Sequence, residues 1–354
     1  MLGRYGKSWC VPETGLGESL TMPISEPLHP VPLTMTGLVK RLLLLPRSMQ
    51  LTHLVFSHGE NAVHYIGEGE STGYLTELLG EYQSLEKISL PELLFKGYRY
   101  QNRIVLRPLI GKKTSDQRTD ERRSDEPDAP VVLEVNRLLR RFIPARVPVT
   151  FSWIRQIAHL DDYRNRKSYI NGVFGRKVRK YGFTHRVTQD SKELNLFYHN
   201  VYLPYIQSRF GRQSHPRSLK MLDTQVRHGF LLQVYEQQQC VAAAVCRRIR
   251  RQLIAVAFGV AQDHDDHLKR GALSACYYFI FQQAEREGLD SVDLLRSRPH
   301  KNDGVYEHKR RWGAHACRDP WPHTVLGILP SGILPAPLQG VLVHSQQGFT
   351  ELSA

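Results

Sequence analysis

The sequence is short of cysteine, of acidic charge and of long apolar runs, and each shortage excludes something. Its five cysteines, Cys10, Cys240, Cys246, Cys276 and Cys317, are odd in number and hold no CxxC pair. Neither a disulfide framework nor a zinc site is expected, and no metal. That usage fits a reducing compartment, so the chain is expected in the cytoplasm. No segment is apolar over the length a bilayer requires. Met1 to Cys10 lacks the continuous apolar core of a signal peptide. The run Leu42-Leu43-Leu44-Leu45 ends at Pro46. Between Lys40, Arg41 and Arg47 it reads as a buried turn, with contact to a membrane surface as the alternative. Acidic residues number 34 against 48 basic ones, a formal charge of +14. That excess favours an anionic partner such as nucleotide phosphate, RNA or an acidic surface, unless it only solvates the exterior.

What is present is ordinary globular composition, 41% hydrophobic and 23% charged, over 354 residues, enough for two domains. Residues 1–35 are rich in Gly, Pro and Ser and read as a loose arm. An N-terminal α/β domain is expected at 36–150, with a hairpin around Gly59-Glu60-Asn61, a strand over Asn102–Ile110, and a helix over Leu133–Phe142. Residues 111–130 are almost all charged or small and read as an exposed insertion. The working domain is expected at 151–325, followed by a tail at 326–354. Within it, Asp190-Ser191-Lys192-Glu193 resembles a capping box, and Leu194, Phe197, Tyr198, Val201, Tyr202 and Tyr205 follow helical spacing. A second helix (Pro216–Arg227) and three antiparallel strands (Phe230–Tyr235, Val241–Arg247, Leu253–Val260) follow. One long helix is expected over His267–Glu287, then a strand (Ser291–Leu295) and a short helix (Asp303–Trp312) stopped by Gly313.

A meander feeding a long helix leaves unpaired backbone N–H groups and partial positive charge at the helix start. Lys269, Arg270 and Gly271 flank that start, so they are the candidate cofactor-binding residues. The cations would neutralise a pyrophosphate, and Gly271 would let the backbone approach it. An ordinary helix start with solvated cations is the alternative. Two further patterns read as structure. Asp263-His264-Asp265-Asp266-His267 has metal-ligand types but no third distant ligand, and reads as a polar loop. Gly69-Glu70-Ser71-Thr72-Gly73 matches the GxSxG pattern of serine hydrolases but lacks a buried strand before it, and reads as a turn.

The stretch Arg176-Lys177-Val178-Arg179-Lys180-Tyr181-Gly182-Phe183 and the helix after it resemble the entry to a GNAT-like (acyl-CoA N-acyltransferase) domain, that of Fem-type and cellulose-biosynthesis-type (CelD-like) acyltransferases. The closing stretch carries the resemblance further: Ser297-Arg298-Pro299, Asp303-Gly304, Tyr306, then Lys309-Arg310-Arg311-Trp312-Gly313-Ala314. It covers residues 170–320. The resemblance implies an α+β fold: a mixed, mostly antiparallel sheet flanked by helices, with a degenerate second domain at the N-terminus. It implies transfer of an acyl (acetyl) group from acyl-CoA, as donor substrate, to an amine of a small, cell-envelope or polysaccharide-related acceptor. The alternatives are a Fem-type ligase with aminoacyl-tRNA as donor, or an inactive module that binds an anionic partner. Such enzymes act mainly by placing the amine against the carbonyl and stabilising the oxyanion. The GNAT phosphate loop usually reads Gln/Arg-x-x-Gly-x-Gly/Ala. Here His267-x-x-Arg270-Gly271 matches in part, and Asp265 and Asp266 would repel a pyrophosphate, which fits the Fem-type relatives.

Within the motif, Lys309 is the candidate catalytic residue, against a solvated helix residue beside Arg310 and Arg311. Tyr306 is the second, as a donor to an oxyanion or leaving group, against packing under Trp312. Arg296, Arg298 and Asp303 are candidates for binding substrate, against surface salt bridging.

Overall fold

The computed structural model describes residues 51–58, 61–68, 99–106, 131–136, 140, 143, 147–210, 216–262, 264–319, 324–329 and 338–352. The expected arm, the Leu42–Leu45 run, the Gly69–Gly73 pattern and the charged insertion at 111–130 lie outside them.

The described chain begins with β1 (Leu51–His58), β2 (Asn61–Glu68), β3 (Arg99–Leu106), β4 (Val131–Asn136) and β5 (Val149–Phe151). β1 and β2 form the expected hairpin, and β3 pairs with the other edge of β1. The helix expected at Leu133–Phe142 is corrected: its first residues belong to β4, which runs parallel to β2. Val131 and Val132 are β-branched, stiff in a helix and well packed on a pleated surface.

After β5 the chain crosses to a second sheet at β6 (Ile154–His159). Then come α1 (Leu160–Asn165), α2 (Lys167–Ile170), a π-helical turn (Asn171–Gly175) and α3 (Arg176–Lys180). β7 (Thr184–Thr188) leads to α4 (Ser191–Phe197), whose start is capped by Asp190 accepting from the Lys192 N–H. A π-helical turn (Tyr198–Tyr202) continues into α5 (Leu203–Phe210), and α6 (Leu219–Arg227) is capped by Ser218. β8 (Gly229–Glu236), β9 (Gln239–Ile249) and β10 (Gln252–Val260) form the expected meander. The single helix expected over His267–Glu287 is corrected to two, α7 (His264–Arg270) and α8 (Ala272–Arg286). The break is Gly271 at φ +101°, a backbone conformation open to glycine and closed to most side chains.

β11 (Ser291–Ser297), α9 (Gly304–Arg311) and β12 (Ala314–Cys317) complete the second sheet, with strand order β12-β6-β11-β10-β9-β8-β7. The expected tail is also corrected. β13 (Thr324–Leu329) pairs with β4 and β5, and β14 (Leu342–Ser345) and β15 (Gly348–Glu351) extend the first sheet. The first sheet therefore reads β15-β14-β5-β13-β4-β2-β1-β3, built from both ends of the described chain.

Helices cover both faces of the second sheet, so its central strands read as near-continuous apolar runs rather than alternating ones. Phe230, Leu232 and Val234 of β8 share a core with Ala275, Cys276 and Ile280 of α8. Leu231 and Val245 turn the other way, onto Leu194 and Phe197 of α4 and Leu222 of α6. This is the GNAT-like α+β arrangement: an antiparallel run β7–β10 continued by a parallel strand, β11, with helices on both sides. No described helix is long and apolar enough to cross a membrane.

Candidate functional site

The second sheet opens between its two parallel strands. β10 and β11 share only three residue pairs, Gln252–Ile254 against Ser291–Asp293, and then part. Each strand is irregular just beyond that point: β10 shifts register against β9 between Ala255 and Ala257, and β11 shifts against β6 between Asp293 and Arg296. Leu295, inside the β11 irregularity, stands at φ +60°. A leucine rarely adopts that left-handed conformation unless its surroundings hold it there. Asp293 is fully buried and its Oδ1 accepts the Leu295 N–H at 2.8 Å. The other carboxylate oxygen pairs with Arg155 of β6.

Lys309 of α9 reaches β11 just past this point. It is 4% exposed, so it is not the solvated helix residue that its arginine neighbours suggested. Its Nζ donates to the Arg296 carbonyl at 2.7 Å. Burial pushes its titration down from 10.5 to about 7, with Asp293 and Asp303 pulling the other way. An amine so placed is available both protonated and neutral near pH 7, and each form leaves N–H donors beyond the one on Arg296.

The remaining motif residues make the frame that holds it. Asp303 caps α9, accepting the N–H groups of Val305 (3.1 Å) and Tyr306 (2.8 Å), and its other oxygen takes the buried Arg298 at 3.2 Å. Ser297 donates to Gln156 at 2.7 Å, and Gln156 donates onward to the Tyr306 carbonyl at 3.1 Å. Arg296 pairs with the buried Asp319. Tyr306 packs against the cluster of Val131, Phe151 and Val325 from the first sheet rather than under Trp312. Trp312 is fully buried, stacked on Phe174 (4.3 Å between centroids), Phe281 and Tyr277. Lys309 lies one turn before Trp312, on the same side of the helix. That spacing was a legible signal for burial, and Asp293, Arg155 and Gln156 had none.

The helix start at Gly271 is a separate place. Arg270 donates to Glu236 at 3.0 Å, pairs with Asp266 at 3.0 Å and meets the His267 ring nitrogen at 3.0 Å. Lys177 of α3 lies across Gly271 and donates to the Lys269 carbonyl at 3.2 Å. Lys269 itself is exposed. Residues 264–270 form α7 rather than a loop, and among the described residues no group of three His, Cys, Asp or Glu side chains is placed to hold a metal.

The two larger clefts among the described residues lie outside the expected set. One, of about 750 Å³, is lined by Arg186, Glu193, Leu196, Gln233, Tyr235 and Gln262 among others, and by none of the eight candidates. The other, of about 730 Å³, lies between α1, α2 and α9 and presents Arg166, Arg310 and Arg311 with Glu307 as its one carboxylate.

No protein-family model matches the chain, and no curated protein does. Among solved structures it is similar to L-PGS from Bacillus licheniformis, with 11% identity, a TM-score of 0.37, and 78% of this chain and 80% of that one covered. It is similar to FemX at 12% identity and a TM-score of 0.37, covering 80% of this chain and 87% of that one. A GCN5-related N-acetyltransferase from Sphaerobacter thermophilus gives 13% identity and a TM-score of 0.33 over 81% of this chain and 79% of that one.

Proposed function

We propose that the chain is an N-acyltransferase that moves an acyl group from acyl-CoA to a primary amine. One observation carries the reading: a buried lysine, its titration pushed down to about 7, rests on the Arg296 carbonyl of β11, just past the last residues that pair with β10. Beyond their last shared pair, the edges of β10 and β11 would take an extended thioester arm. The amine nitrogen would attack the carbonyl carbon, forming a C–N bond and an oxyanion. Collapse would break the C–S bond, and the thiolate would take up the proton that the amine loses. Lys309 would donate to the oxyanion or the departing sulfur, a contact stronger in the transition state than in the ground state. Arg298 and Asp303 would act by fixing the start of α9, and Arg296 would meet substrate only by giving up its pair with Asp319. A cell-envelope or polysaccharide-related acceptor follows only from the sequence resemblance.

A second reading has its own support. Arg270 is engaged by two carboxylates, and three arginines line the cleft beside α9. Both features suit an aminoacyl-tRNA donor, held by its backbone phosphates, better than a pyrophosphate at Gly271.

The test is melting of the full chain with acetyl-CoA, a longer acyl-CoA or charged tRNA. Amine-dependent release of thiol or of free tRNA is then followed. A rise with acyl-CoA and thiol release supports the first reading, and the same with tRNA supports the second. No shift and no release with any donor removes both.

A further inference from the structure

The geometry points to Asp293 as the positioning residue for Lys309, acting through the strand between them rather than by touching substrate. The chain of contacts is short. Asp293 Oδ1 accepts the Leu295 N–H at 2.8 Å, closing a local side-chain-to-backbone turn. That turn holds Leu295 at φ +60°, which a leucine does not adopt without compensation. The left-handed residue lies within the β11 irregularity, where Asp293 to Arg296 on β11 face Ile157 to Arg155 on β6, one residue more on β11 than on its partner. Directly after the bulge, the Arg296 carbonyl meets Lys309 Nζ at 2.7 Å. The same bulge begins where pairing with β10 stops, so one carboxylate sets both the parting of the strands and the resting place of the lysine.

Asp293 has a second, separable effect, through charge. The groups around Lys309 are Asp293 and Arg296 of β11, Arg155 of β6, Arg298 between β11 and α9, Asp303 at the start of α9, and His308 beside it on α9. Arg155 pairs with Asp293, and Arg298 pairs with Asp303. Asp293 and Asp303 both favour the ammonium form. An asparagine at 293 would keep the oxygen that accepts the Leu295 N–H and lose the charge together with the oxygen that takes Arg155. An alanine would lose both. A glycine at 295 would take the left-handed conformation without an anchor.

These differences make the test. The catalytic consequence rests on the reading of Lys309 given above. The measurement does not, because the Lys309 ε-methylene NMR signal of the full chain is titrated without donor or acceptor, and Lys309→Met identifies the signal. Asp293→Asn should lower the midpoint by about half a unit or more and leave Leu295 amide exchange unchanged. Asp293→Ala should change the Lys309 signal beyond what Asp293→Asn does and speed Leu295 exchange by about tenfold or more. Asp293→Ala with Leu295→Gly should return the Lys309 titration to that of Asp293→Asn.

Equal titrations in Asp293→Asn and Asp293→Ala would overturn the inference, as would failure of Leu295→Gly to rescue. Should Asp293→Ala not fold, fast Leu295 exchange in Asp293→Asn would overturn it, and protected exchange with a lowered midpoint would support it. In a transferase assay, rescue of kcat with little change in KM would add the catalytic role. Absence of transfer with an intact relay would remove the functional reading alone.

Discussion

Lys309 and Arg270 are cations that each follow a strand of the parting pair, and their surroundings treat them differently. Arg270, 30% exposed at its side chain, meets two carboxylates and an imidazole. Its charge is neutralised within the chain, and a ligand phosphate would have to displace Glu236 or Asp266. Lys309 is buried and rests on one neutral carbonyl, with its nearest carboxylates already paired to Arg155 and Arg298. Desolvation without a dedicated counter-charge makes a lysine that titrates near neutrality. A half-buried cation amid carboxylates holds structure, whereas a buried one short of them is poised to act.

The largest way to break that contrast is to remove what buries Lys309. Trp312 is fully enclosed by Phe174, Tyr277 and Phe281. Trp312→Ala should cost about 3–5 kcal/mol in urea unfolding, the range for an aromatic deleted from a packed core. A cost under about 1 kcal/mol would mean that the α9 frame does not depend on its stack. Next comes the lysine itself. Lys309→Met fills similar space without a charge to desolvate, so melting should hold or rise. Transfer should fall by roughly a hundredfold or more, the scale of losing one donor to an oxyanion. Unchanged transfer would make Lys309 a structural lysine.

The meander, the α4 cap, the span of α9 and the helix stop at Gly313 were legible because each depends on residues within a few positions. The pairing of β13 with β4 was not, because Thr324 and Asn136 meet across most of the chain and no local pattern encodes it. β6 was missed for a different reason. Ile154, Gln156 and Ala158 face inward, and a glutamine among them disguises the alternation of a half-buried strand. Gln156 is there for its hydrogen bonds to Ser297 and the Tyr306 carbonyl, which only the fold brings near. Gly271 was singled out as a place for close approach. Its left-handed φ and the Lys177 side chain above it show that any substitution there strains the backbone, so Gly271→Asp would report on folding as well as on donor binding.

A pH series sharpens the contrast at intermediate size. His308, beside Lys309 on α9, accepts from Trp312 Nε1 and stacks edge-on against Tyr277. Burial, then Lys309 and Arg311, push its titration down from 6.5 to about 4. Between those values the unfolded chain binds a proton that the folded chain refuses. The stability contribution is therefore complete above pH 6.5 and is lost as pH falls towards 4, about 3 kcal/mol in all. Urea midpoints from pH 7 to 4 should show this slope, reduced in His308→Phe. A slope that is the same in the variant would assign the acid loss to other groups.

The smallest expected effect is at Arg270, and it tests the other half of the contrast. Arg270→Gln removes partly exposed ion pairs to Glu236 and Asp266, so unfolding should shift by under about 1 kcal/mol. Two carboxylates are then left without their partner at the helix break. If Arg270 is occupied as its distances indicate, donor affinity should change by less than about threefold, because no free guanidinium was available to the donor. An affinity loss of tenfold or more, about 1.4 kcal/mol, would show that the donor displaces Glu236 and claims the arginine. Gly271 and α8 would then be the phosphate end of the site, and the acyl-CoA reading would gain over the tRNA one.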